Sequence, residues 1–203
     1  MTVSSIRQTS PGRLTVCLED GSEIKSTLTA VTDLRLYSGR ELDEDELGEL
    51  RLCSERSLAR EKALEYLSQR QMSCRELKTK LTVKGMAEDT ADYCIQWLME
   101  RQLIDEESYA SAVVRHYAAK GYGEGRIRQE LHRRGIDREL WDDALKQMPE
   151  DTGKLDKFIA ARLKDPDDPL QVKKLGAALY RRGYSWEEIH SALERFNADA
   201  EEY

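Results

Sequence analysis

Cysteine is sparse in this chain and never closely paired. Cys17, Cys53, Cys74 and Cys94 lie 36, 21 and 20 residues apart, with no Cys-x-x-Cys pair and no Cys/His cluster at zinc-ligand spacing. That excludes the common structural zinc modules. The N-terminus has no apolar secretion signal, and no run approaches the ~18 apolar residues of a membrane span. The expectation is a soluble, cytoplasmic protein with reduced thiols and no membrane partner.

Histidine is scarcer still. His116, His132 and His190 sit far apart inside helical patterns, and none has the two-turn companion that a metal site needs. No Ser/His/Asp or Cys/His arrangement carries a local catalytic signature. No metal, no cofactor and no enzymatic activity are therefore expected. Phenylalanine is nearly absent, with two Phe against nine Tyr and three Trp, which points to small cores whose aromatics keep a polar end near water.

An excess of base is also missing. The 32 Lys and Arg are outnumbered by 39 Asp and Glu, for a net charge of −7. A surface that wraps a duplex throughout is excluded, because such binding rests on neutralising phosphates. The charge is nevertheless segregated: residues 41–50, ELDEDELGEL, hold six acids and no base, whereas residues 115–138 hold seven Arg/Lys against three acids. Segregation of this kind bears on partners, not on fold.

At 203 residues, with 35% charged side chains, the chain has the texture of a helical protein. Its first 40 residues differ. RLTVCLEDGSEIKSTL alternates apolar and polar positions about Asp20-Gly21, which predicts a hairpin with a type I′ turn. A third short strand is expected at DLRLYSG. A short acidic helix should follow over 41–57, and a longer one should begin near Ser57, with Ala59, Ala63, Leu64 and Leu67 on its buried side.

The helical part repeats. QMSCRELKTKLTVKGM (71–86), GYGEGRIRQELHRRGI (121–136) and PLQVKKLGAALYRRGY (169–184) align at offsets of 50 and 48 residues. Leu77/Ile127/Leu175, Leu81/Leu131/Leu179 and Gly85/Gly135/Gly183 fall into register. So do Ala91/Trp141/Ile189, Cys94/Ala144/Ala192, Ile95/Leu145/Leu193 and Leu98/Met148/Phe196. Each unit reads as three helices, the first starting near Leu58, Ser108 and Lys154, and the second stopped by its glycine. Ser73, Asp137 and Ser185 are expected caps, while Ala87 must be served by another residue. The divisions are 1–40 (β-hairpin region), 41–57 (acidic connector), and repeats over 58–104, 105–150 and 151–203. The fold class is mainly α: tandem three-helix repeats in an elongated curved array behind a small β element.

Gly121-x-Gly123-x-Gly125 looks like a phosphate loop, but a helical segment precedes it and the Walker Lys-Ser/Thr is absent. The glycines are expected to serve a helix–helix connection. The cations of the second helices form the candidate contact surface. Ile127 and Leu131 define the buried side of 126–134; Arg126, Gln129 and Arg133 share another face, with Arg128 and His132 on its shoulder.

ALEYLSQRQMSCRELKTKLTVKG, LIDEESYASAVV and GYGEGRIRQELHRRGI, in this order and spacing, resemble the RecX family of regulatory proteins. The resemblance covers residues 58–148 and extends over 154–196 through the third repeat. It implies a non-enzymatic helical-repeat protein, expected as a monomer, that lodges in the RecA–DNA filament. It also implies inhibition of RecA ATP hydrolysis and strand exchange, in recombination and DNA repair, and weak contact with DNA. The physical argument nominates Arg115, Lys120, Arg126, Arg128, Arg133, Lys174 and Arg181 as partner contacts. A direct DNA-binding regulator of helix-turn-helix type is the alternative, and a scaffold for an acidic protein partner is a third reading.

Overall fold

Two antiparallel ladders open the chain. In the computed structural model, which describes residues 1–148 and 153–201, strands β1 (Val3–Ser10), β2 (Arg13–Leu18) and β3 (Glu23–Thr27) form one sheet in the order β1-β2-β3. The Asp20-Gly21 hairpin joins β2 to β3, pairing Val16 with Ile24 and Leu14 with Ser26. Its turn is not type I′. Only Gly21 is left-handed (φ 85°), and its N–H donates to the Leu18 carbonyl at 3.1 Å, while Asp20 accepts from Ser22 N at 2.9 Å. The third strand is β1 and not the DLRLYSG segment. Leu28–Asp33 forms α1, and the chain then turns through left-handed Arg35 and Gly39 (φ 51° and 92°). The end of that turn still lies beside the sheet, since Gly39 N–H donates to the Val3 carbonyl and Leu42 N–H to that of Met1.

Helix α2 (Glu44–Gln69) runs unbroken through residue 57, so the acidic segment and the first repeat helix are one element. Asp43 and Glu46 form a reciprocal capping box at its start, and three acids occupy the first turn, where the helix dipole favours them. The helix serves two cores. Leu50 packs with Val3, Val16, Leu18, Val31 and Leu42 beneath the sheet, and Ser54 bonds Ser26 at 2.8 Å. Further along, Ala59 and Ala63 pack with Leu77 and Leu81 of α3 (Cys74–Val83) and with Ala91, Cys94 and Leu98 of α4 (Glu88–Glu100). Leu64 leaves the expected stripe and is exposed. Buried among apolar neighbours, the Cys94 thiol is pushed up to about 11 despite Arg60 nearby. Residues 1–104 form one compact unit.

The second unit begins at Asp105. Helices α5 (Glu106–Ala119), α6 (Glu124–Arg133) and α7 (Trp141–Lys146) enclose Val114, Ile127, Leu131, Trp141 and Ala144. A 3-10 turn at Arg138–Leu140, capped by Asp137, leads into α7. Helices α8 (Lys154–Ala160), α9 (Pro169–Arg181) and α10 (Trp186–Glu201) enclose Leu155, Ile159, Leu175, Leu179, Ile189 and Ala192. The boundary expected between 150 and 151 lies outside the described residues.

The repeat is visible in the backbone. Gly85, Gly135 and Gly183 are all left-handed (φ 89°, 67° and 91°). After each, the next N–H reaches five residues back: Met86 to the Leu81 carbonyl, Ile136 to Leu131, and Tyr184 to Leu179. Each glycine thus closes a Schellman stop, and the residue after it packs into its own core. Ser185 and Glu188 make a full capping box. Ser73 accepts from Glu76 N, and Ala87, which has no capping side chain, offers its N–H to Glu55 at 3.4 Å.

Candidate functional site: a basic face on the second unit

Two of the three closely spaced glycines bring repeats two and three together. Gly123 N–H donates to the Arg182 carbonyl at 3.0 Å and Gly125 N–H to that of Gly183 at 2.9 Å. A Cβ on Gly123 would stand 2.5 Å from the Gly183 oxygen, and one on Gly183 would stand 2.1 Å from Arg126 N. The connection expected of these glycines is therefore a close backbone contact between repeats. Gly121 has another task, since it ends α5 with φ 71°.

Arg182 staples the joint. Its guanidinium donates to the Gly121 carbonyl at 3.1 Å and lies over the rings of Tyr122 (5.1 Å) and Phe158 (4.5 Å). Tyr184 Oη reaches the same Gly121 carbonyl at 3.2 Å, and Lys154 Nζ reaches that of Ala118. None of these was nominated from sequence. A partial signal exists in the basic column before each glycine stop, because Arg134 also turns inward, onto Tyr109 Oη at 2.6 Å.

Beside the joint opens a cleft of about 710 Å³, lined by Arg128 and Gln129 of α6, Tyr180 and Arg181 of α9, and Ser185 and Glu188 at the start of α10. It gathers two of the nominated residues, Arg128 and Arg181. The other five lie outside its lining. Arg115 is exposed on α5 and contacts Gln147 at 3.4 Å; Lys120, at the end of α5, stands 5.8 Å from the Tyr117 ring. Arg126 bonds Gln129 at 3.1 Å, and Lys174 is exposed on α9.

The nominated cations differ in how far their charge is already met. Arg128 is paired twice, with Glu124 at 2.6 Å and Asp142 at 3.1 Å, and the Glu124 bond chiefly holds its guanidinium more firmly protonated. Arg133 is bound by Glu130, a carboxylate that is only 3% exposed. Glu130 also accepts from Arg134 at 2.8 Å. Arg133, with Tyr117 and Arg134 behind it, outweighs burial and holds the Glu130 carboxyl well below the usual range, at about 2. By contrast, Arg115, Lys120, Arg126, Lys174 and Arg181 take part in no ion pair among the described residues. Among the described residues Arg181 bonds only the Ala177 carbonyl, at 3.2 Å.

The three histidines are exposed and rest against aromatic rings: His116 on Tyr117, His132 on Trp141 and His190 on Trp186. Among the described residues no group of three His, Cys, Asp or Glu is placed to hold a metal, and no helix is long and apolar enough to cross a membrane.

Known proteins resemble this chain in sequence and in fold. The family described as RecX, first three-helix domain, matches residues 59–98, and RecX, second three-helix domain, matches residues 105–145. Regulatory protein RecX of Vibrio parahaemolyticus serotype O3:K6 is 33% identical over 139 residues, covering 66% of this chain and 89% of that protein. Regulatory protein RecX of Bacillus licheniformis is 27% identical over 205 residues, covering 96% of this chain and 76% of the other. A crystal structure of regulatory protein RecX matches with a TM-score of 0.74 at 26% identity, covering 97% of this chain and 98% of that one.

Proposed function

This chain belongs to the RecX family of regulatory proteins, and from that premise we propose that it binds the RecA–DNA filament in the cytoplasm, as a monomer, and restrains RecA ATP hydrolysis and strand exchange. It acts by occupying a surface, with no catalytic step of its own. The contacts assigned to it are Arg115, Lys120, Arg126, Arg128, Arg133, Lys174 and Arg181.

The observation that carries this reading is the set of cations on α6 and α9 left without carboxylates. In an otherwise acidic chain, Arg126, Lys174 and Arg181 keep charge to offer an acidic partner. An ion pair already made within the chain leaves less attraction for a second molecule. The three divide the work ahead of Arg128 and Arg133, whose carboxylates must be shared or displaced.

The test is steady-state ATP hydrolysis by RecA on single-stranded DNA, with this protein titrated in at physiological salt. Hydrolysis should fall at amounts well below one molecule per RecA subunit, and Arg126→Glu combined with Arg181→Glu should relieve the fall. Unchanged hydrolysis at several-fold excess would overturn the proposal.

A further inference from the structure

Helix α9 carries a face that its own repeat does not use. Leu175 and Leu179 point into the core, while Leu170, Lys173, Lys174, Tyr180 and Arg181 point outward, with Tyr180 56% exposed. No Asp or Glu occurs from Pro169 to Arg181. Of the carboxylates at its two ends, Asp168 accepts from Leu170 N and Gln171 N and Glu188 accepts from Ser185 N, while Asp167 and Glu187 are exposed beside them. Lys173, Lys174 and Arg181 join no ion pair among the described residues.

Against this face lies Trp186, the first residue of α10. Its ring stacks on Tyr180 with centroids 5.4 Å apart and planes 17° from parallel, and it remains 52% exposed. The absence of a side chain at Gly176 admits it, since a Cβ there would stand 3.3 Å from the indole. Large aromatics are usually drawn into a core, yet here a glycine lets an indole and a phenol stack side by side at the surface.

We propose that Tyr180 and Trp186 form a platform on which an unpaired nucleobase of single-stranded nucleic acid stacks, with Lys173, Lys174 and Arg181 holding the adjoining phosphates. Flat rings set among unpaired cations are the two elements by which proteins take single strands without reading sequence. Lys174 and Arg181 are seven residues apart, about 10 Å along the helix, so they meet successive parts of a strand and not one anion. An acidic polypeptide would meet the cations equally well but would leave the two rings without a purpose. The site shares Lys174 and Arg181 with the filament-binding reading but does not need the recombinase.

The experiment therefore uses the full chain alone, at low and physiological salt, with a twenty-residue oligo-dT and its abasic counterpart as probes. Oligo-dT should quench tryptophan emission, and the abasic strand should bind more weakly. Trp186→Ala should weaken oligo-dT binding roughly tenfold, as expected for losing one stacked base, and should remove the quenching. Trp186→Phe keeps a ring and should retain most of the affinity, while Lys173→Glu with Lys174→Glu leaves the rings and should flatten the salt dependence. Far-ultraviolet circular dichroism establishes that each variant is folded. Equal binding of abasic and dT strands, or competition by an oligo-glutamate peptide as strong as by oligo-dT, would overturn the proposal. The RecA assay could fail while this one succeeds, and the reverse.

Discussion

Gly123 and Gly183 meet backbone to backbone, and neither has room for a β-carbon: one on Gly123 would fall 2.5 Å from the Gly183 oxygen. This contact joins repeat two to repeat three and places α6 beside the α9–α10 turn. The cleft and its two arginines depend on it.

Gly183→Ala should therefore destabilise the protein more than Gly85→Ala. Both glycines are left-handed, so each substitution carries the ~1 kcal/mol penalty of placing a side chain there. Only at Gly183 does the new Cβ also strike backbone, 2.1 Å from Arg126 N, whereas Gly85 has open space. Overpacking of that kind adds about 1–3 kcal/mol. Denaturant midpoints of the two variants measure the difference.

Arg182→Ala should loosen repeat three while leaving residues 1–104 intact. It removes the bond to the Gly121 carbonyl and the contacts with Tyr122 and Phe158. A loss of about 2 kcal/mol is expected, from one charged hydrogen bond and partly exposed cation–π contacts. Limited proteolysis should cut repeat three sooner than in the parent protein. Arg182→Lys should not restore it, because an ammonium does not lie flat between two rings.

Glu130 should make stability depend on acid. Its carboxyl is held at about 2, chiefly by Arg133, against an ordinary value of 4.5. A depressed folded value gives stability that is complete above about pH 4.5 and is lost as pH falls toward about 2. Glu130→Ala should cost about 3 kcal/mol at neutral pH, since it leaves the Arg134 guanidinium, only 25% exposed, without its carboxylate. The gap between variant and parent should narrow through that acid window; a gap unchanged by pH would remove Glu130 as the cause.

Within the basic face, Arg181→Ala should weaken partner binding more than Arg128→Ala. Arg128 already spends its donors on Glu124 and Asp142, whereas Arg181 among the described residues meets only a backbone carbonyl. Half-inhibitory amounts in the RecA assay rank the two. The opposite order would mean that the partner displaces those carboxylates and claims Arg128.

Much of this protein was decided by sequence alone, and the reason is locality. A glycine stop needs only its own helix end, a capping box only four residues, and an apolar column only the helical period. The three repeats, their seven aligned columns, and the Ser185 cap were accordingly legible. The i,i+4 spacing of Glu124 with Arg128 and of Glu130 with Arg134 could also be read. The tertiary structure decided whatever depends on distant segments arriving together. The first strand, not the DLRLYSG segment, completes the sheet, because residues 39–42 instead turn back to bond residues 1–3. Helix α2 has no break, because its two halves pack against two different cores. Gly123 and Gly125 were visible as glycines, but their use appeared only with Gly183 beside them. So too with charge: seven cations look alike in a string of letters, and the carboxylates folded within reach determine which of them remain free.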